Sequence, residues 1–314
     1  MKYGFGIDVG GTSVKLAYFD QEGNMLDKWE IPSNTADGGK QILPDIVASI
    51  REYLEKTGTP DEAILGIGLG IPSPVDDLGN ADECVNLGWP AQNIHEALGK
   101  LSGFPVKAGN DATTAALGES WKGGHSCDNT VFATLGTGVG GGIIINGQVL
   151  HGVHGAGAEI GHIPLRVDEG IRCNCGKVGC AEQYCSASGI IRLAKEALAR
   201  ESAPSVLRSV EKLMAKDIFD AGNAGDSLAL SVLDRYYRYL AEFLAVICQV
   251  VDPEVVVLGG GVSKAGQVLI DGIQPYFKEH VSFGAKEIRF EIAALGNDAG
   301  AYGAFKLALT EFGV

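Results

Sequence analysis

The sequence predicts an α/β protein built as two similar halves that face a cleft. Three observations lead there. A strand–glycine–strand pattern opens the chain: Tyr3–Val9, then Gly10-Gly11-Thr12, then the alternating run Val14–Phe19. The pattern returns as Val131–Leu135, Gly136 to Gly142 and Ile143–Ile145, 128 residues further on from Asp8 to Gly136. Coincidence in a glycine-rich chain is the competing explanation of that repeat. The chain has 314 residues, 46% hydrophobic and 20% charged, which suits about two soluble domains with sizeable cores.

The remaining elements follow from periodicity. A turn at Asp20–Asn24 closes the first hairpin, and Ile42, Ile46, Ile50 and Leu54 recur at helical spacing. Ile64–Ile71 is a short apolar strand with interleaved glycines, ended by Pro72-Ser73-Pro74. Asn110-Asp111 opens an alanine-rich helix from Ala112 to about Trp121. Leu228–Val251 is apolar but carries Asp234, Arg235, Arg238 and Glu242, so it reads as a core-facing helix and not a membrane span. It stops at Asp252-Pro253; Val255–Leu258 is a buried strand, and Gly259-Gly260-Gly261 turns it toward a helix. Gly296–Gly303 reads as a loop leading into a last helix, Ala304–Thr310.

Charge excludes two classes of partner. Acidic residues outnumber basic ones 39 to 25, for a net charge of −14. Sequence-independent nucleic-acid binding and docking on an anionic membrane both need a basic surface. Lys2 is followed by only a few apolar residues before Gly6 and Asp8, so the N-terminus does not read as a signal peptide. The expected compartment is the cytoplasm, where the seven cysteines stay reduced and clustered ones point to metal before disulfide.

Glycine is the compositional outlier, at 45 residues, about twice the usual ~7%. Backbone amides can converge on a phosphate where no Cβ blocks approach. A Walker A loop is absent: Gly39-Lys40, Gly99-Lys100 and Gly176-Lys177 are followed by Gln, Leu and Val. Gly136, Gly138 and Gly141 match G-x-G-x-x-G, but they open the β-branched run Ile143–Ile145 where a dinucleotide site needs a helix. A hairpin that holds phosphate by its turn amides remains, with Asp8 at a strand end placed to hold Mg²⁺ through water. Asp8 as a carboxylate bonding local turn amides is the alternative.

Cys173, Cys175 and Cys180 form a C-x-C-x₄-C pattern with glycines at 176 and 179, and His162 lies eleven residues earlier. Cys₃His is a closed tetrahedral set, so the expected metal is a structural Zn²⁺. The alternatives are three reduced cysteines beside a surface histidine, or Cys185 as a ligand. Cys84, Cys127 and Cys248 read as ordinary thiols. Asp111, before a helix, reads on sequence alone as its N-cap.

These motifs resemble, in order and over nearly the whole chain, the ROK (repressor, open reading frame, kinase) family. The resemblance rests on Asp8-x-Gly10-Gly11-Thr12, Asn110-Asp111-Ala112, Leu135-Gly136-Thr137-Gly138-x-Gly140-Gly141-Gly142, Gly155 through His162, Cys173 through Glu182, and Leu258-Gly259-Gly260-Gly261-Val262. Asn86-Leu87-Gly88-Trp89 and Ala115-Ala116-Leu117-Gly118-Glu119 are similar to the family's bacterial glucokinase branch. The resemblance implies an actin-like ATPase (ribonuclease H-like) fold. The expected smaller lobe is 1–111 completed by a C-terminal helix at 301–314, and the larger is 112–300 with the zinc loop.

The resemblance also implies an activity, the transfer of phosphate from ATP to the 6-hydroxyl of glucose. Asp111 would be the general base, and Asn110, Asp111, Glu159, His162 and Glu182 would contact the sugar, with the Gly70 backbone nearby. Asp8, Gly10, Gly11, Thr12, Thr137 and Gly138 would serve the nucleotide phosphates and Mg²⁺, and Gly260 and Gly261 the adenosine. Lys15 would assist, or alternation would turn it to solvent. Zn²⁺ on His162, Cys173, Cys175 and Cys180 would tie the Glu159–His162 loop to the Cys173–Glu182 loop. Closure of the lobes over the sugar would keep water out. Ser73 and Thr113 depart from the family's commoner glycine and asparagine.

Competing expectations are another hexose (N-acetylmannosamine, N-acetylglucosamine, fructose or allose), an idle sugar-binding protein, or a sugar-sensing repressor. The repressor is disfavoured because Asp8 stands too near the start to leave room for a helix-turn-helix. A homodimer or homotetramer is expected.

Overall fold

The computed structural model describes residues 1–125 and 127–313. In chain order the elements are β1 (Tyr3–Val9), β2 (Ser13–Asp20), β3 (Met25–Pro32), a single turn α1 (Ala36–Gly39), α2 (Ile42–Thr57), β4 (Ile64–Ile71), β5 (Asn80–Ala81), β6 (Gln92–Asn93), α3 (Ile94–Ser102), β7 (Val106–Asn110) and α4 (Asp111–Lys122). Then follow β8 (Thr130–Leu135), β9 (Val139–Ile145), β10 (Gln148–Val149), α5 (Glu182–Cys185), α6 (Ala187–Arg200), α7 (Ala215–Asn223), α8 (Ser227–Val251), β11 (Val255–Gly259), α9 (Gln267–His280), β12 (Arg289–Ile292) and α10 (Ala299–Phe312).

Two five-stranded sheets repeat one plan. Their orders are β3-β2-β1-β4-β7 and β10-β9-β8-β11-β12. In the first, β1 pairs antiparallel with β2 and parallel with β4, which is parallel to β7. In the second, β8 is parallel to β11 and β11 to β12, while β9 and β10 form an antiparallel pair. The repeat read from the glycine hairpins is therefore a repeat of whole sheets.

The chain forms two compact units. One comprises Met1–Ser126, Gly142–Ala158 and Ala294–Val314; the other comprises Cys127–Gly141 and Glu159–Ala293. In the first unit, one sheet face buries Phe5, Ile7, Val9, Leu16, Ile67 and Leu69 against Ile42, Ile46 and Ile50 of α2. α10 lies on the opposite face, so close that a Cβ at Gly68 would stand 1.7 Å from the Ala304 carbonyl oxygen. That approach explains the glycines interleaved in β4. In the second unit, the parallel strands β8 and β11 are apolar and buried, and α8 buries Leu240, Phe243, Leu244 and Ile247. Asp226 caps α8 by accepting from the Leu228 and Ala229 amides, each at 3.0 Å.

Four details differ from the sequence expectation. β3 was not expected; it is an edge strand that alternates charged residues with Trp29 and Ile31. Gly140, Gly141 and Gly142 lie inside β9 and the turn is confined to Gly136–Gly138, because the ladder continues through residues that have no side chain. The loop expected at Gly296–Gly303 is helix from Ala299 onward. Its glycines serve packing: a Cβ at Gly303 would meet the Thr114 carbonyl oxygen at 1.6 Å. The boundary drawn at residue 111 also differs, since α4 packs along α10 and groups with the first unit. Among the described residues, no helix is long and apolar enough to cross a membrane.

Candidate active site

In the first unit, the carboxyl ends of three parallel strands lie side by side. β1 pairs Asp8 with Gly70 of β4, and Gly70 pairs with Gly109 of β7, just before Asn110-Asp111. Neighbouring strands are about 4.8 Å apart, so these groups share one edge of the sheet, where parallel α/β sheets bind ligands. A Cβ at Gly70 would lie 2.6 Å from Thr114 Oγ1 and 3.6 Å from Asp111 Cα.

The antiparallel register sets Lys15 opposite Asp8, and its Nζ lies 3.2 Å from Asp8 Oδ2. Lys15 therefore faces the acid, with 37% of its side chain exposed. The Gly10-Gly11-Thr12 turn is closed by Gly10 N donating to Ser13 O at 2.9 Å. Ser33 braces it, its amide donating to Thr12 O at 3.0 Å and its hydroxyl to Gly10 O at 2.5 Å. Gly300 at the start of α10 stands against Asp8, where a Cβ would be 2.8 Å from the carboxylate carbon.

The N-cap of α4 is Asn110 and not Asp111. Asn110 Oδ1 accepts from the Thr113 amide at 3.1 Å, and Asp111 is the first helical residue. Both residues are good caps and the chain uses the earlier one. Asp111 Oδ1 accepts from the Ala112 amide at 2.7 Å, and the residue is half-buried. Negative charge is favoured at a helix N-terminus.

Glu119, two turns further along α4, was given no role by sequence reasoning. It is fully buried. Its carboxylate accepts from the Ala294 and Leu295 amides at 3.0 and 2.8 Å and lies 3.3 Å from His125 Nε2. It thereby ties the helix that starts at Asp111 to the segment that leads into α10 and Gly300. A glutamate in a helix carries no sequence signal of burial. The departures Ser73 and Thr113 are both buried; Ser73 Oγ donates to the Asp82 carbonyl at 3.0 Å.

In the second unit, Thr137 and Gly138 form the tip of the β8–β9 turn. Gly136 N donates to Gly138 O at 3.0 Å, and Ser188 Oγ to Thr137 O at 2.8 Å. Gly260, at φ 82°, packs on the backbone of Leu135, so Gly260-Gly261 adjoin this turn. Glu159 is exposed and precedes the short turn Ile160–His162.

His162, Cys173, Cys175 and Cys180 converge, their ligand atoms all within 4.8 Å of one another. Cys175 and Cys180 sulfurs are 3.6 Å apart, and Cys173 Sγ is 3.7 Å from His162 Nδ1. A tetrahedral metal with metal–sulfur bonds of about 2.3 Å and metal–nitrogen bonds of about 2.0 Å has edges of about 3.5–3.8 Å. The donor set and spacing thus fit a closed metal site. Burial, and then the neighbouring thiols, push the Cys180 thiol above its ordinary range. Cys185 is fully buried and outside this group. The loop is folded by Leu165 N donating to Gly179 O at 2.7 Å, and Arg166 Nη1 anchors it to Glu242 of α8 at 2.6 Å.

Glu182 opens α5 beside this cluster. Its Oε1 is 3.5 Å from Cys173 Sγ, and its Oε2 accepts from the Val139 amide at 3.2 Å. Sequence reasoning passed over Val139.

The chain belongs to the ROK family, whose model matches residues 4–311. It is 43% identical over 307 residues to a glucokinase of Halalkalibacterium halodurans, covering 95% of this chain and 92% of that protein. It is 34% identical to a glucokinase of Thermotoga maritima, over 98% of both chains. A crystal structure of a ROK family glucokinase from Streptomyces griseus, in complex with glucose and AMPPNP, is 32% identical. It superposes with a TM-score of 0.77, covering 98% of this chain and 99% of that one. The fold is the actin-like ATPase fold of ROK sugar kinases.

Proposed function

We propose that the chain transfers the γ-phosphoryl group of ATP to the 6-hydroxyl of glucose, giving glucose 6-phosphate and ADP. The observation that carries this is the row of Asp8, Gly70 and Asn110-Asp111 along one sheet edge. It joins a phosphate turn, a gap without a side chain and a carboxylate on a helix N-terminus. The likeness to glucokinases over nearly the full length supports it.

The chemistry asked of these residues is ordinary. Asp111 accepts the proton of the 6-hydroxyl as that oxygen bonds to the γ-phosphorus and the bond to the β–γ bridging oxygen breaks. The amides of Gly11, Thr12, Thr137 and Gly138 hold phosphate oxygens, and Lys15 offsets charge beside Asp8. Mg²⁺, when bound, neutralises charge on the β- and γ-phosphates, and Asp8 would hold it through water. Asn110, Glu159, His162 and Glu182 bind sugar hydroxyls, so a sugar lacking or inverting one leaves a charged acceptor unpaired. Gly260 and Gly261 flank the adenosine. Zn²⁺ on His162 and the three cysteines would fix the sugar loops and take no part in the transfer. The enzyme acts in the cytoplasm as a homodimer or homotetramer.

ADP release measured with glucose, mannose, fructose, allose, N-acetylglucosamine and N-acetylmannosamine tests the proposal. Glucose gives the highest kcat/KM. A higher value for an N-acetylated sugar would reassign the substrate, and turnover with none would reject the kinase.

A further inference from the structure

Glu182, an acidic side chain of the second unit, reaches the β8–β9 turn from the segment that follows the Cys/His cluster. Its Oε2 accepts from Val139 N–H at 3.2 Å. The same oxygen occupies the space a side chain at residue 138 would need, since a Cβ at Gly138 would stand 2.1 Å from it. The glycine therefore admits this carboxylate to the turn. On its other side the carboxylate borders the Cys/His cluster, with Oε1 3.5 Å from Cys173 Sγ. The turn is further bound to the same segment: Ala187 N donates to Gly136 O at 2.8 Å, and Ser188 Oγ to Thr137 O. One short stretch, 182–188, thus joins the Cys/His cluster to the β8–β9 turn.

A carboxylate on a phosphate turn works against phosphate. It occupies the amide next to the Thr137 and Gly138 donors, and it places negative charge beside the triphosphate. Hydroxyls are different, because they donate to a carboxylate and soften its charge. We infer that Glu182 is a positioning residue that makes nucleotide binding depend on the sugar. Hydroxyls that bond this carboxylate draw it off the Val139 amide and leave the β8–β9 turn to the phosphates. This rests on the kinase reading above and deepens it. Its consequence is that ATP without sugar meets a turn guarded by an acid, which suppresses hydrolysis of ATP by water.

The coupling is reciprocal and has a size that calorimetry can read. The affinity of a non-hydrolysable ATP analogue with Mg²⁺ is measured with and without saturating glucose, for the wild-type protein, E182Q and E182D. In the wild type glucose tightens the nucleotide by about tenfold, within the usual range for coupled sites. E182Q removes the charge but keeps the shape. E182D keeps the charge but withdraws it by one methylene. In both variants the nucleotide alone binds about threefold or more tighter than to wild type, and glucose adds less than about twofold. The nucleotide-alone arm decides even if a variant loses glucose affinity, and melting temperature with metal content establishes that each variant is folded. Wild-type coupling retained in both variants would overturn the inference. So would nucleotide binding without sugar that is no tighter in either variant than in wild type. A wild-type protein that phosphorylates no hexose would instead overturn the kinase reading, so the two failures are separable.

Discussion

The two glycine turns share a strand pattern and differ in where their acid comes from. At the first, Asp8 lies in the strand that enters the turn and is faced by Lys15 across the hairpin. At the second, the acid is Glu182, forty-three residues after Val139, delivered by the loop that carries the Cys/His cluster. The repeated sheet supplies the same kind of turn twice, but each copy acquires its charge separately. The first turn has a cation at hand and suits a metal-bound phosphate. The second has an anion at hand and suits control by another ligand.

Of the two turns, the first gives the larger effect when broken. Asp8→Asn lowers kcat by about 10²–10³, the scale of losing one electrostatic contact to the reacting phosphate. Glucose affinity, read by calorimetry, stays near wild type. A parallel loss of glucose binding would show that the two turns are not separate in function.

Disrupting the Cys/His cluster strikes the second turn. Chelation, or Cys175→Ser, raises the glucose KM by about tenfold or more and lowers the melting temperature, because the ligating loop loses its closure. Normal glucose KM and stability in a metal-free sample, checked by elemental analysis, would remove the metal from the account.

Glu119 tests whether the first unit is held by its own buried acid. Glu119→Ala leaves the Ala294 and Leu295 amides without their acceptor and empties a buried site, and costs about 1–3 kcal/mol in urea unfolding. A change under about 0.5 kcal/mol would mean that the two amides find other acceptors.

The smallest effect is that of pH. His95 Nε2 accepts from the Ala108 amide of β7 at 2.9 Å, so protonating it there breaks a bond of the strand that leads to Asp111. Burial, and then the charge of Lys107, hold His95 below its ordinary value. The unfolded chain therefore takes up this proton first. The His95 contribution to stability is complete above about pH 6.5 and declines as pH falls below it. In His95→Gln the urea midpoint varies less steeply between pH 7 and 5 than in wild type; an equal slope would exclude His95 as the source.

Much of this was readable in the residues. Strands β1, β4, β8 and β11 are apolar runs ended by glycine or proline, and the spacing of Cys173, Cys175 and Cys180 points to the Cys/His cluster, with reduced cysteines or Cys185 as the alternatives. β3 escaped because an edge strand needs only half an apolar face, and its charged residues read as surface. The first turns of α10 escaped because Gly300 and Gly303 are there for contact with Asp8 and Thr114, and propensity scores a glycine by its own backbone only. The cap of α4 was misplaced by one residue because Asn and Asp compete for it. Glu119 escaped because what it does depends on amides distant in sequence, at Ala294 and Leu295; Glu182 was named through the family resemblance, but its bond to the Val139 amide, forty-three residues away, was not.

The most direct measurement is the turnover of Asp111→Asn with glucose and Mg-ATP, beside its glucose affinity by calorimetry. The account predicts that kcat falls by at least about 10³ while glucose binds within a few-fold of wild type, as expected when a proton acceptor is removed. Turnover near the wild-type rate in a folded, glucose-binding variant would contradict it.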